Sequence, residues 1–575
     1  MAAESQKSGS SSENVAHVNY DHSKPEYIVQ DGVAYVGEKG ENGGVTYQNA
    51  ADGVPVESTN LLRYTTGFWG SVFLSLSRVV GTGIFSTPAN ILKGTGSVGL
   101  ALFFWVIGYV ISMSGLSVYL ELASYFPGRS GADVVYLEQA YPRPRFFWPL
   151  AFGFYTCVFA FGAGNSFVLA SWVFRFASRE PTDWEIKGIA IAANTLVALL
   201  IIANTRLSLT LVNVFGVLKV ATLLFIGITG WAVLGGAFPE KVPDPHANFR
   251  NAFEGTGNDA YSLSSSLVNI VYSYWGYANA FNLNNEIKNP VRTLKLSSAI
   301  TMFLIATLYM LVNVAFFAVL SKAEILASTQ ITATLFWERL WGAKVAKGLT
   351  IFPVLSAFSN MLASMIGFSR QVREIGRQGL LPYPKIWVST KPFGTPIAPV
   401  LILWFTAVLF TVAPPAGDAF QFITALQNYP QSLFLLLMTI GLLIIRHRRK
   451  KMGIPASDFK VWTPVVIFFI CVELFLLIMP WVPPAGGIND SAFNFFYAAS
   501  SLGGLGIILV CYLYYVLWMY ILPKAGKYQI RRRVLFNDDG SVGNQLIKVP
   551  NDEVEAWDIK HDPSGRSLNE NERDA

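Results

Sequence analysis

Apolar runs of about 18 or more residues, each long enough to cross roughly 30 Å of hydrocarbon, recur between positions 66 and 522 of this 575-residue chain. So many apolar runs cannot share one water-soluble core. They belong in lipid, where only helices and closed barrels satisfy the backbone. The runs lie at 66–93, 97–125, 146–177, 187–204, 209–236, 264–285, 296–320, 346–369, 396–413, 420–445, 462–480 and 494–522. Their length and composition predict an all-α integral membrane protein of about 12 transmembrane helices. Charged residues make up 14% of the chain, against about 25% in a soluble domain. The third run is long enough to need tilt, and 329–345, with Phe336, Trp337 and Trp341, reads as a separate short helix before span eight.

The first span contains Ser77-Arg78-Val79-Val80-Gly81-Thr82-Gly83-Ile84-Phe85. Two glycines disfavour helix there and lack Cβ atoms, so the backbone can unwind and present N–H groups to a ligand. Non-helical backbone at membrane depth is tolerated only in protein or around a cavity. The motif therefore reads as the substrate site of a transporter, although small residues also serve close helix packing.

Span six carries a second interruption, Ser273-Tyr274-Trp275-Gly276-Tyr277-Ala278-Asn279, five spans after the first. Corresponding breaks in two halves point to a five-plus-five inverted repeat with broken helices 1 and 6. Half-helix N-termini then face a substrate carboxylate, and freed carbonyls accept its ammonium group. An amino acid zwitterion suits both poles.

Basic residues sit on alternate loops. Arg129, Arg143 and Arg145 follow span two, Lys288, Arg292 and Lys295 span six, and Arg370, Arg373, Arg377, Lys385 and Lys391 span eight. The run Arg446 to Lys451 follows span ten, and Lys524 to Arg533 follow span twelve. Loops 414–419 and 481–493 hold no lysine or arginine. This asymmetry puts both termini in the cytoplasm. The net charge of +6 is a by-product of it and no argument for nucleic-acid binding.

The chain divides into an N-terminal tail (1–60), a transporter domain (61–522) and a C-terminal tail (523–575). The first is rich in Ser, Gly, Asn and Glu, reads as disordered and lacks a signal peptide. Val54 to Leu62 can still dock on the cytoplasmic face, and Lys7, Lys24 and Lys39 are attachment points for a regulatory modification. The tails are thus candidate docking sites for a ubiquitin-ligase adaptor.

Cys157, Cys471 and Cys511 lie in apolar spans and no Cys/His cluster has metal-ligand spacing, so no disulfide, metal or cofactor is expected. Ser178 to Trp184, after span three, hold no cysteine for a disulfide-linked heavy chain. No nucleophile elbow, phosphate loop or paired His and Glu motif suggests an enzyme. Asn489-Asp490-Ser491 is a glycosylation sequon on a loop close to the membrane.

The chain resembles the amino acid, polyamine and organocation superfamily and, within it, the fungal high-affinity methionine permeases. The likeness rests on GTGIF at 81–85, SVGLAL at 97–102, YLE at 136–138, GNS at 164–166 and NFRNAFEGT at 248–256. It continues through NEIKNPVRTLK at 285–295, APPAGDA at 413–419 and PWVPP at 480–484. The resemblance implies plasma-membrane import of methionine, and of cysteine or related thio-amino acids, by proton symport with alternating access. A broader neutral amino acid exchanger and an amino acid sensor share the fold.

Carried over by resemblance, Gly81, Thr82 and Gly83 hold the carboxylate, while Val79 and the carbonyls near Ser273 and Tyr274 receive the amine. Trp275, Gly276 and Tyr277 shape the gate or side-chain pocket. Asn165, Ser356, Asn360, Asn428 and Tyr429 line the cavity or serve as interhelical polar contacts. Lys219 lies mid-span in an otherwise apolar helix, where a charge is costly without a cavity or partner, and is the candidate for proton coupling. Arg78, Glu121, Glu138 and Glu286 form the charge set of a candidate inner gate.

Overall fold

The computed structural model describes residues 26–30, 33–41, 44–51, 53–57, 61–81, 83–159, 163–327, 332–413, 426–483, 496–537, 540–562 and 565–566. The protein is a mostly helical, multi-pass membrane protein with an all-α transporter domain. Among the described residues, nine helical stretches are long and apolar enough to cross a membrane. The interrupted spans one and six and the shorter helix Ile397–Val412 supply the remaining expected crossings.

Span one is two half-helices, Phe68–Val79 and Gly83–Thr95. Span six is Ala260–Ser273, a turn, and a tight 3-10 segment Asn279–Glu286. Several helices run past the apolar segment that announced them. Span eight continues to Arg377 and span ten to Lys451. Arginine is a good helix former, and Arg370, Arg373 and Arg377 remain buried because each meets a carboxylate. Span four begins earlier than expected, at Asp183, where Thr182 and Glu185 form a capping box. The short helix after position 329 is present as Thr332–Trp341, with Phe336 and Trp337 buried. A further buried helix, Asp133–Ala140, joins spans two and three.

The N-terminal segment departs from the expected disorder. Strands β1 (Glu26–Gln30), β2 (Val33–Lys39) and β3 (Val45–Asn49) form an antiparallel sheet in the order β1-β2-β3. Its polar residues find buried partners. Gln48 accepts from Arg129 (2.6 Å), the Asn49 N–H donates to Gln139 (2.8 Å), and Glu57 pairs with Arg373 (2.7 Å). Composition missed this because the partners lie in distant segments. Val54 and Val56 are buried, in line with the expected docking of that stretch. The C-terminal tail adds an antiparallel hairpin, β4 (Tyr528–Phe536) and β5 (Val542–Pro550). Both tails meet at one face: Arg532 donates to Gly53 O (3.0 Å), and Arg377 to Val542 O (3.0 Å) and Pro55 O (2.7 Å). Lys39 is exposed, whereas Lys7, Lys24 and the sequon Asn489 to Ser491 lie outside the described residues.

Candidate substrate and coupling site

The end of a half-helix exposes carbonyls that no intrahelical N–H reaches. At the first break these are taken up by side chains from three other spans. Lys219 Nζ, in span five (Thr205–Leu234), donates to Ser77 O at 2.8 Å and Val80 O at 2.6 Å. Ser356 Oγ in span eight donates to Val80 O (3.2 Å) and Gly81 O (3.0 Å), and Asn360 Nδ2, one turn on, donates to Arg78 O (2.6 Å). Tyr309, in span seven (Pro290–Val319), places its hydroxyl 3.2 Å from Val79 O and 3.1 Å from Ser273 O. One phenol therefore ties the two breaks together. Asn165 Nδ2 donates to Asn360 Oδ1 (2.9 Å) and extends the brace to span three.

The second break turns through Gly276, at φ +112°, a region that favours glycine. It also lies directly on the first break: a Cβ at Gly276 would stand 2.4 Å from Arg78 Cγ and 3.1 Å from the Arg78 carbonyl carbon. Gly83, which starts the second half-helix, is roomier, with Ser273 Oγ at 3.5 Å from its hypothetical Cβ. The Gly81 N–H donates to Val79 O (2.9 Å), so in this conformation it is already engaged. Thr82 lies outside the described residues.

Beside the breaks is a cavity enclosing about 550 Å³ of space between atoms, mouth included. Arg78, Trp275, Gly276 and Tyr277 line it, together with Tyr119 and Asp133. Of the other residues singled out from the sequence, Ser356, Asn360 and Lys219 brace the backbone beside it, and Val79 and Ser273 supply carbonyls that Tyr309 holds. Tyr274 turns away into the core, its hydroxyl on Trp105 O (3.2 Å) and its ring edge-on to Trp105. Tyr429 lies farther off, its hydroxyl accepting from Trp481 Nε1 (3.1 Å), and Asn428 begins span ten.

The structure does not join the gate charges Arg78, Glu121 and Glu286 to one another. Glu121 pairs with Arg446 and accepts from Val461 N (2.7 Å). Glu286 pairs with Arg370 (2.7 Å) and accepts from Thr65 (2.6 Å). Glu138 pairs with Arg129 (3.0 Å), which also holds Glu374. Arg78 instead reaches Ser364 and lies over the Phe368 ring, 5.1 Å from its centroid. Arg370 and Arg446 belong to spans eight and ten, too far along the chain for local spacing to reveal, whereas Arg129 stands nine residues before Glu138.

The sequence profile described as amino acid permease matches residues 67–523. The chain belongs to the amino acid permease family. The high-affinity methionine permease of Saccharomyces cerevisiae is 33% identical over 499 residues, 86% of each chain. That yeast's low-affinity methionine permease is 26% identical over 492 residues, covering 84% of this chain and 88% of the relative. The b(0,+)-type amino acid transporter 1 of Mus musculus is 26% identical over 478 residues, 80% and 89% of the two chains. These relatives are permeases and transporters, not enzymes.

Two features of the permease's site were missed from sequence. Tyr309 sits in a strongly apolar helix, where a lone hydroxyl is a weak signal. Asp133 opens a helix whose next residues, Val134, Val135, Tyr136 and Leu137, are apolar and buried. An acid ahead of such a run was the available clue.

Proposed function

We propose that this permease imports L-methionine, and cysteine or related thio-amino acids, across the plasma membrane by proton symport with alternating access. The observation that carries the reading is the 33% identity, over 86% of both chains, to a high-affinity methionine permease. Two abutting breaks beside a cavity lined by Trp275 and Tyr277 suit a zwitterion with an apolar, sulfur-bearing side chain. The carboxylate is assigned to the N-terminal end of the half-helix Gly83–Thr95, where backbone donors and the helix dipole favour an anion. The amine is assigned to carbonyls of the break region, from Val79 to Ser273 and Tyr274.

Lys219 is proposed as the coupling group, because its two acceptors, Ser77 O and Val80 O, belong to the break that substrate must engage. Both termini are assigned to the cytoplasm from the loop charges. The tails are proposed to receive a ubiquitin-ligase adaptor, and no disulfide-linked heavy chain is invoked.

The test is uptake of labelled methionine by yeast lacking its own methionine permeases, at acidic and neutral external pH, with and without protonophore. Saturable uptake that collapses with protonophore supports the reading. Exchange without accumulation favours an exchanger, and surface expression without uptake favours a sensor.

A further inference from the structure

Among the described residues that line the cavity, Asp133 is the one carboxylic acid and Arg78 the one cation. Asp133 begins the helix Asp133–Ala140, which lies between spans two and three and is not itself a span. The residue is 6% exposed, and its carboxyl has no ion-pair partner among the described residues. Tyr119 donates to Oδ1, and Gln371 Nε2 donates to Oδ2 at 2.9 Å.

The surrounding charges are otherwise engaged. Span eight presents Glu374, held by Arg129 and Arg377. Span ten presents Arg448, which donates to Gln139 O (2.9 Å) and Ala140 O (3.3 Å) at the far end of the short helix. The remaining titratable groups facing Asp133 are the phenols of Tyr119, Tyr136, Tyr155 and Tyr277. Glu473 of span eleven interacts with Tyr277.

We infer that Asp133 is a second proton-binding site of the transport cycle, loaded together with substrate and emptied when the cavity refills with water. This rests on the symport reading proposed above. A carboxylate tolerates a cavity while water solvates it, and an amino acid that displaces that water makes the ionised form costlier. Substrate therefore raises the proton affinity of Asp133. By reciprocity the protonated form binds substrate more tightly. The proton enters from water onto a carboxylate oxygen and leaves to water from the same group, so no co-reactant is needed. Burial already pushes this carboxyl up to about 6, between an acidic exterior and a neutral interior.

Asp133→Asn is a clean probe, because Gln371 Oε1 is buried without a hydrogen-bond partner among the described residues. A flip of the Gln371 amide would offer that oxygen to the new side-chain amide. Full-length wild type and Asp133→Asn are reconstituted in vesicles, and the half-saturating concentration of labelled methionine is measured from pH 5 to pH 7.5. Wild type is expected to weaken about tenfold over the range, and Asp133→Asn less than about twofold. Tyr119→Phe, which removes a donor to the ionised form, is expected to keep the dependence and move its midpoint to higher pH. A pH-dependent wild type with an equally pH-dependent Asp133→Asn overturns the assignment of Asp133 alone. A wild type indifferent to pH and protonophore overturns the symport reading and this inference with it.

Discussion

Gly276 of the second break rests on Arg78 of the first, so closely that a Cβ on the glycine would stand 2.4 Å from Arg78 Cγ. The two interrupted spans thus share a surface at the depth where each is unwound. Alanine at 276 combines that overlap with a positive φ that costs an L-residue roughly 1–2 kcal/mol. Gly276→Ala is expected to lower the melting temperature of the detergent-solubilised protein and reduce transport at least tenfold. Wild-type transport would mean the contact is dispensable.

Gly83 provides the contrasting test. The atom nearest its hypothetical Cβ is Ser273 Oγ, at an ordinary 3.5 Å. Gly83→Val should therefore fold, yet place methyl groups where a carboxylate approaches the half-helix N-terminus. Equilibrium binding of labelled methionine is expected to fall by more than tenfold while surface expression persists. Unchanged affinity would move the carboxylate elsewhere.

Membrane class, the crossings and both breaks were legible in the sequence because each leaves a local mark: an apolar run, or glycines within one. Ser356 and Asn360 were legible as polar residues in a span, but not as braces for the backbone of span one. That role depends on which helix faces which. The partners of the gate charges were hidden for a related reason. Glu286 and Glu121 lie near span ends, and their partners Arg370 and Arg446 lie where spans eight and ten run past their apolar segments. The β1-β3 sheet was hidden because its stabilising contacts, such as Gln48 with Arg129, join segments that look unremarkable alone.

Removing the Lys219 ammonium leaves Ser77 O without its lysine donor and Val80 O with Ser356 as its side-chain donor among the described residues. Lys219→Ala is expected to abolish protonophore-sensitive accumulation of methionine. Counterflow, which needs no proton gradient, should survive in part. Concentrative, pH-dependent uptake by the variant would remove Lys219 from the coupling role.

Glu57 joins the N-terminal segment to span eight through Arg373 at 2.7 Å and Arg377 at 3.6 Å, all three buried. Breaking a buried ion pair by removing one partner typically costs about 3–5 kcal/mol. Glu57→Gln is expected to release the segment around 53–57 locally. Faster amide exchange there and quicker proteolysis would report it. Protection equal to wild type would show that the strands hold the segment without the ion pair.

Asp133 gives a pH dependence of stability whose sign follows from burial. Its carboxyl stands at about 6 in the folded protein against an ordinary 3.8. Between those values the folded state keeps a proton that the unfolded chain releases, so stability falls as pH rises. The contribution is complete below about pH 4 and lost through pH 6, amounting to about 3 kcal/mol at most. Asp133→Asn lacks that slope, whatever its absolute stability. The melting temperature of the variant minus that of wild type should therefore increase from pH 4 to pH 7 and level off above it. A difference flat across the range would mean that Asp133 ionises in the folded protein as readily as it does in water.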